Sequence, residues 1–466
     1  MKKTRTWAGL LVLVAVFLAG CAEKDIPPKP EDGVLIYAAL NKLSPWLEYN
    51  IEMYNGVHPD TQIEVRDYSD EAGPQRLMTE LMLGSVPDII EMQRMGYRKS
   101  TMRIPDIASP FDPEYTEPMW RFTPFDADTS EQFYMPYRAL VQRGYLEDLW
   151  PYIEEDFGRE RIMEAPLKAA EVDGGLYMIP KSVSINTLGG PVSMVGDRCG
   201  WTLKDLLEAF DTMPEDSTAL RYGTTRGEVF FNLLAPQLEQ FIDWKTGECS
   251  FDSQGFRDML EFLSFFPLQF HTWLTKEQLF DEKYFRQLDG MQLLEPVLVT
   301  TPRDALILDE KFQQDTSFVG WPTADGSSGS SFIFHGPILA MSSACDNKDA
   351  AWDFMCRLLR ADSKSISWAI ESIKYHWISI PLNRIAYNLY IKASMFPLSP
   401  QFIPGEKHRQ RFEELFESTT QLYWPDDTMA DAVWDAIGPY FAGDRNLDDT
   451  IALIQDRVTL YINEQK

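Results

Sequence analysis

The sequence predicts an α/β protein built from two lobes. From residue 33 onward, segments with the apolar pattern of strands alternate with segments of helical period, which indicates a parallel sheet covered by helices. The chain has 466 residues, more than the ~250–300 at which a single hydrophobic core stops growing. Apolar residues make up 44% of the chain, an ordinary content for a folded globular protein. Each lobe is therefore expected to have its own core.

The first elements of the folded part follow from local patterns. A continuous apolar run at 33–40 predicts a strand, and Ser44-Pro45 then supplies an N-cap and a first helical residue. Alternation over 61–68 predicts a second strand, and leucines one turn apart predict a helix over Gly73–Leu83. The apolar run at 86–92 predicts the third strand.

The later part of the chain is predicted to continue with strands, loops and helices. A turn with an apolar strand is expected at 172–180, and a Gly/Ser-rich loop at 324–331 precedes an apolar run. Helical spacing then marks 349–359. Two final helices are predicted from apolar stripes, with Asn446 capping the second; the stripes are Met429, Val433, Ile437 and Tyr440, then Ile451, Ile454, Val458 and Tyr461.

The N-terminus has the layout of an export signal that ends at a cysteine. Lys2, Lys3 and Arg5 precede a short apolar run, which is too short to cross a bilayer. The four residues up to Cys21, Leu-Ala-Gly-Cys, resemble a bacterial lipobox. We therefore predict a signal peptide at 1–20, lipidation of Cys21 and a charged, Pro-rich tether at 21–33. The alternative is an ordinary signal peptide with an incidental cysteine.

Composition and missing motifs narrow the functional classes. A formal charge of −28 repels phosphate backbones, so no nucleic acid partner is expected. No nucleophile elbow, P-loop or metalloprotease motif occurs, and the histidines are scattered singly. No catalytic residue, metal or cofactor is therefore predicted. The remaining cysteines show no metal spacing and are expected to be buried thiols or bridged; they are Cys199, Cys249, Cys345 and Cys356.

Several segments, in order along the chain, resemble the extracellular solute-binding proteins of ABC transporters, of the carbohydrate-binding family 1 type that includes maltose-binding proteins. These segments are GVLIYAALNK, GSVPDIIEM, YLEDLWPYIEED, VDGGLYMIP, WDFMCRLL, SIPLNR and the C-terminal stretch from YWPDD to YINE. The resemblance implies a two-lobe periplasmic-binding-protein-like fold of class II. Hinge strands would join the lobes, and the ligand would lie in the cleft between them.

The resemblance also implies how the chain divides. Lobe 1 is expected at 34–182 and 318–367, and lobe 2 at 183–317 and 368–466. The crossings between the lobes are expected near 180–184, 318–321 and 365–370. Hinge motion would close the lobes over the ligand.

Ligand contacts in this family come from loops after the first-lobe strands and around the crossings. Sugar sites need aromatic faces for stacking and polar side chains for hydroxyls. Carried onto this chain, the resemblance implies ligand contacts at Asn41, Lys42, Met92, Gln93, Arg94, Lys181, Ser182, Ser184, Trp321, Trp377 and Trp424.

The resemblance implies a non-catalytic, monomeric carbohydrate-binding component of an importer. It would be held by Cys21 on the extracytoplasmic face of the cell membrane and would present its ligand to permease subunits. Three alternatives stay open: a binding protein for a peptide or polyamine, a surface lipoprotein that processes glycans, and a sensor that signals lobe closure. Asn41 and Lys42 stand where the family often has an acidic residue, so the expected ligands include a charged or modified sugar.

Overall fold

The computed structural model describes residues 33–94, 133–360, 379–395 and 403–465, apart from 71, 84–86, 216, 222–223, 244–245, 268–289 and 324. The strands are β1 Val34–Ala39, β2 Gln62–Asp67, β3 Ile89–Glu91, β4 Gln93–Arg94, β5 Phe133–Tyr134, β6 Ile179–Pro191, β7 Ile242–Asp243, β8 Glu248–Cys249, β9 Glu295–Val299, β10 Thr316–Phe318, β11 Ser331–Met341, β12 Ile380–Pro381 and β13 Gln421–Leu422. The helices are α1 Pro45–Val57, α2 Gly73–Leu83, α3 Tyr137–Gln142, α4 Trp150–Asp156, α5 Glu164–Ala169, α6 Val192–Val195, α7 Leu203–Phe210, α8 Arg226–Val229, α9 Gln254–Ser264, α10 Pro302–Phe312, α11 Lys348–Met355, α12 Arg384–Ser394, α13 Glu406–Ser418, α14 Asp427–Phe441 and α15 Leu447–Gln465.

The central sheet is mixed. Its main strand order is β10-β6-β11-β3-β1-β2, and β9 and β12 also pair with β6 while β13 pairs with β11. The predicted parallel sheet is confirmed for β1, which runs parallel to β2 and β3. The later strands add an antiparallel part to the sheet, because the long strands β6 and β11 run antiparallel to each other and to most of their neighbours.

Two predicted helix N-caps, one near the start of the fold and one near its end, are confirmed. The Ser44 side chain accepts the Leu47 N–H at 3.3 Å and so caps α1. The Asn446 side chain accepts the Asp449 N–H at 2.9 Å at the start of α15. The predicted turn at 173–175 is confirmed, since Val172 and Gly175 pair across it, and the strand predicted to follow begins at Ile179.

Two hydrophobic cores organise the described residues. The first core gathers β1, α1, β3 and the helices up to α5, and it continues into β11, α11 and α13. The second core gathers α7, the segment from Val229 to Phe266, and the stripes of α14 and α15. Residues between Ile380 and Phe416 pack in the first core, whereas the sequence analysis assigned this stretch to lobe 2.

Strand β6 connects the two cores. Ile179, Val183 and Ile185 pack in the first core, and Leu188 packs in the second. A Cβ on Gly189 would lie 2.3 Å from Leu308 Cδ2, so only glycine lets the α10 side chain approach the strand at this point. The chain returns near the predicted second crossing, where Phe318 packs in the first core and Trp321 in the second. The predicted third crossing at 365–370 lies outside the described residues.

Candidate functional site

A cavity of about 310 Å³ lies where the two cores meet. On one side it is lined by α3, whose Tyr137 and Leu140 belong to the first core. On the other side lies the 3₁₀ helix Ala235–Phe241, whose Leu238 belongs to the second core. We call this space the interlobe cavity. Its polar and aromatic lining includes Arg138, Glu171, Glu239, Gln240, Trp424 and Asp426.

Trp424 forms the aromatic wall of the interlobe cavity. Its indole N–H donates to the Met135 carbonyl at 3.0 Å. The Tyr134 ring meets it edge-on, with centroids 4.8 Å apart. Because the neighbouring Tyr423 N–H donates to the Phe332 carbonyl of β11 at 2.8 Å, the segment that carries Trp424 is tied to the central sheet. The half-buried indole is therefore held in one orientation, which suits stacking on a ligand ring.

An ion pair crosses the cavity. The Arg138 guanidinium of α3 contacts the Glu239 carboxylate of the 3₁₀ helix. The pKa of Glu239 is raised to about 7, mainly by burial; Arg138 lowers the pKa and the nearby Asp426 raises it. Desolvation therefore outweighs the attraction of the guanidinium at this carboxylate.

Two further carboxylates complete the polar lining. Asp426 caps α14 through the Met429 N–H at 3.0 Å and accepts the Tyr461 hydroxyl at 2.5 Å. Burial raises the pKa of Asp426, and the hydrogen bond from Tyr461 opposes that shift. Glu171 accepts the Trp150 indole N–H at 2.8 Å. Among the described residues, the cavity therefore offers one cationic donor group, several carboxylate acceptors and the aromatic side chains of Tyr137 and Trp424.

Comparison with known proteins identifies the architecture. No family model matches the chain, and no curated protein matches it. Solved structures do match. The sugar-binding protein MalE from Xanthomonas citri is similar at 14% identity, over 92% of this chain and 98% of that one, with a TM-score of 0.52. This chain has the two-lobe periplasmic-binding-protein fold.

A second solved structure supports this fold assignment. It is described as an oligosaccharide periplasmic-binding protein from Synechococcus sp. MITs9220 and shares 12% identity, over 92% of this chain and 99% of that one, with a TM-score of 0.52. Among the described residues, no helix has the length and apolar character needed to cross a membrane. In the same part of the chain, no His, Cys, Asp and Glu side chains cluster as metal ligands would.

The first predicted ligand contacts lie one strand away from the cavity in this fold. Gln93 pairs with Tyr134 in the β4–β5 ladder, and the Met135 N–H donates to the Met92 carbonyl at 3.0 Å. The Asn41 amide donates to the Gln93 carbonyl at 2.7 Å. Met92 and Gln93 are buried, and Lys42 is exposed. Arg94 is the second residue of strand β4. Met92 and Gln93 therefore support the segment that carries Tyr134 and Met135, and Asn41 is bonded to Gln93.

The predicted contacts on β6 face other partners. The Lys181 ammonium lies over the Trp46 ring, 4.1 Å from its centroid. The Ser182 and Ser379 hydroxyls are 2.6 Å apart. The Ser184 hydroxyl lies 2.6 Å from Nε2 of His335, whose pKa burial lowers to about 4. None of the three β6 residues lines the interlobe cavity.

The three predicted tryptophans have different outcomes. Trp424 lines the interlobe cavity. Trp321 is 3% exposed in the second core, with its indole N–H 3.4 Å from the Asn186 side-chain oxygen. Trp377 lies outside the described residues, as does Cys21. The ligand-contact role of all three tryptophans stays a prediction.

Most of the polar residues that line the cavity were not among the predicted ligand contacts. Arg138, Glu171 and Glu239 come from separate segments with no shared motif. One signal was available: Pro236 interrupts the helical pattern just before Glu239, and the chain there changes from the π-helical turn Phe230–Leu234 to a 3₁₀ helix. Such irregular helices are frequent at functional sites.

Proposed function

We propose that the chain captures a carbohydrate in the interlobe cavity and delivers it to the permease of an ABC importer, without catalysis. The observation that carries the proposal is the cavity lining, in which the Trp424 face lies beside Arg138, Glu239 and Gln240. Sugars present apolar ring faces together with hydroxyls that both donate and accept. A rigid aromatic wall with charged donors and acceptors matches that chemistry. The structurally similar MalE is itself described as a sugar-binding protein.

We propose that ligand binding is read out as lobe closure. A ligand that touches both lobes only in the closed form shifts the population toward that form. The proposed lobes are those of the sequence analysis, with the segment from Ile380 to Phe416 moved to lobe 1 because it packs in the first core. The closed form is then the state that the permease recognises.

We propose that the chain works as a monomer on the extracytoplasmic face of the cell membrane. The support is the signal-like N-terminus and its Leu-Ala-Gly-Cys motif. Acyl chains on Cys21 would each contribute roughly 0.8 kcal/mol per buried methylene, so two or more chains hold the protein firmly. The charged tether at 21–33 would let the lobes move above the membrane.

A second candidate, capture of a polyamine, is favoured by the charges of the cavity. Glu171, Glu239 and Asp426 line it against the single guanidinium of Arg138. An ammonium group would be attracted to such a surplus of carboxylates. Arg138 favours the carbohydrate, because a guanidinium repels an ammonium group but donates hydrogen bonds to sugar hydroxyls.

Isothermal titration of the lipidated chain in detergent tests both candidates. The panel consists of maltotriose, cellotriose, xylotriose, mannotriose, spermidine and a tripeptide. Saturable binding of one trisaccharide, recovered intact, supports carbohydrate capture. Binding of spermidine or the tripeptide alone overturns it, and recovery of a cleaved sugar overturns the non-catalytic assignment. The Trp434→Ala variant is the control, because Trp434 packs on Phe230, with ring centroids 4.9 Å apart, and does not line the cavity.

A further inference from the structure

Arg303, the second residue of helix α10, is a buried arginine with one unpaired edge. The residue is 7% exposed. No acceptor in the part of the chain that the structure describes bonds to its Nε or Nη2. These two nitrogens form one edge of the planar guanidinium, and such an edge can hold both oxygens of a carboxylate or a phosphate at once. Because a buried donor without an acceptor is costly, this edge points to a further binding partner.

Other arginines of the chain show how the same edge is normally used. In Arg409, Nε donates to one oxygen of the Glu406 carboxylate at 3.0 Å and Nη2 donates to the other. In Arg226, Nε and Nη2 donate to two carbonyls at the C-terminal end of helix α9, at 3.0 and 3.3 Å. The Arg409 side chain is 34% exposed, and Arg226 is half-buried. Arg303 is therefore buried more deeply than either arginine that satisfies this edge.

The titratable groups that act on Arg303 are bonded elsewhere. Burial lowers the pKa of Arg303, and Asp304 and Tyr390 oppose the shift without cancelling it. The Asp304 carboxylate accepts the N–H groups of Thr300 and Thr301 at 2.8 Å each. The Tyr390 hydroxyl donates to the Thr300 carbonyl at 3.1 Å. Both groups thus hold the first turn of α10 in place, and the guanidinium edge stays without an acceptor among them.

We propose that Arg303 is the centre of a binding site for a small oxoanion, such as phosphate or a carboxylate, at the N-terminal end of helix α10. Two oxygens of the ion accept from Nε and Nη2, in the arrangement that Glu406 adopts on Arg409. The positive end of the helix dipole favours an anion at the same place. The Asp304 carboxylate repels it, so the binding is expected to be weak.

The proposed anion site is independent of the proposed carbohydrate capture. Arg303 does not line the interlobe cavity. It belongs to α10, whose Ala305 and Leu308 pack in the first core, and it interacts with Tyr390 of helix α12. A bound oxoanion therefore stabilises the packing of α10 and α12 in the first core, and its effect is measured as stability.

Thermal unfolding of the full-length chain in detergent tests the proposal. Sodium phosphate, sodium acetate and sodium chloride are titrated separately at matched ionic strength. We expect phosphate or acetate to raise the Tm by about 2–4 °C and then to saturate, the size of effect for a ligand at about ten times its Kd. Arg303→Met removes the guanidinium at similar side-chain length and should abolish this rise. Arg226→Met is the matched control and should keep it, since that edge is already bonded within the chain.

Arg303→Lys covers the case in which Arg303→Met does not fold. Lysine keeps the positive charge but lacks the two-nitrogen edge, so the rise in Tm should be smaller than in the parent. The inference is overturned if the parent shows no saturable rise, if the Arg303 variant that folds shows the full rise, or if chloride raises the Tm as much as phosphate and acetate do. Trisaccharide affinity should be the same in the parent and in Arg303→Met, so a failure of carbohydrate capture leaves the anion site standing.

Discussion

The carboxylate of Glu91 accepts the backbone N–H of Asn41 at 3.0 Å and thereby ties the end of β1 to the end of β3. The same oxygen accepts the Leu40 N–H at 2.8 Å. Glu91 is 5% exposed, and burial raises its pKa to about 7. The folded protein therefore binds a proton at Glu91 more tightly than the unfolded chain does.

The first prediction concerns this carboxylate. Since the pKa in the folded protein is above the ordinary glutamate value of 4.5, the stabilising contribution of Glu91 is complete below pH 4.5 and is lost as the pH rises through about 7. Glu91→Gln keeps an acceptor for both N–H groups and removes the ionisation. Above pH 7 the variant should be more stable by up to about 3 kcal/mol, as measured by urea unfolding at several pH values. An equal pH dependence in both proteins would contradict the assignment.

The second prediction concerns Trp424. Trp424→Ala removes the aromatic wall, and the affinity for the best trisaccharide should fall about tenfold, in line with ~1.4 kcal/mol of lost stacking. Trp424→Phe keeps a ring face but loses the bond to the Met135 carbonyl, so its loss should be smaller. Calorimetric titration measures both variants, with Trp434→Ala as the control. Equal affinities in all three variants would remove Trp424 from the site.

The third prediction concerns His408, which is 5% exposed. Its Nδ1 accepts the Gly405 N–H at 2.7 Å, and its Nε2 lies 3.2 Å from the Asp309 carboxylate. His408→Ala should lower the free energy of unfolding by about 1–3 kcal/mol, because Asp309 loses a buried hydrogen bond and the Gly405 N–H loses a partly buried one. Lys204→Ala, at an exposed site on α7, should change little.

The contribution of His408 to the free energy of unfolding also depends on pH. Burial lowers the pKa of His408 below the ordinary histidine value of 6.5, although Asp309 opposes the shift. The stability it provides is therefore present above pH 6.5 and is lost as the pH falls below that value. The difference in unfolding free energy between the parent and His408→Ala should shrink below pH 6.5. A difference that grows on acidification would show that His408 is protonated in the folded protein.

The fourth prediction concerns the thiols. The four cysteines of the described chain are free, with Cys199 exposed and Cys345 and Cys356 buried. Burial raises the pKa of Cys345 and of Cys356 to about 12, which suppresses their thiolates. A thiol reagent should modify Cys199 rapidly in the native protein, and Cys199→Ser should abolish this fast phase. Thiols that appear only after reduction would indicate a disulfide instead.

The fifth prediction concerns the N-terminus. If Cys21 carries the lipid, Cys21→Ser should move the protein from the membrane fraction to the soluble fraction after cell lysis. Incorporation of labelled palmitate should disappear in the same variant. Trisaccharide affinity should not change, because the described fold begins at residue 33. Retention of the variant in the membrane fraction would contradict lipid anchoring at this residue.

The elements that the sequence predicted well are those with local causes. Helix α2 follows from its leucine spacing, and Leu77 and Leu81 are buried. The stripe of α14 places Met429, Val433 and Ile437 in the second core. These patterns are complete within one segment and need no knowledge of the partner that covers them.

The candidate site could be predicted only in part, because distant segments form it. Trp424 was found through the resemblance of its segment to a known family. Arg138 and Glu239 are adjacent only because α3 and the 3₁₀ helix pack at the junction of two cores. Neither residue has a local pattern that distinguishes it from the many charged residues of the surface. Trp321 is the opposite case. Its position near a predicted crossing favoured a ligand contact, but the side chain packs in the second core.

The composition of the interlobe cavity has a consequence for biosynthesis. Its wall needs Trp424 and Asp426, and Asp426 is held by Tyr461 of α15, close to the C-terminal end of the described chain. A nascent chain therefore has no finished site until α15 has emerged and packed. Under the proposed function, ligand would therefore not trap a chain that lacks α15 in a folded form, and the ability to bind would mark a molecule in which α15 has packed.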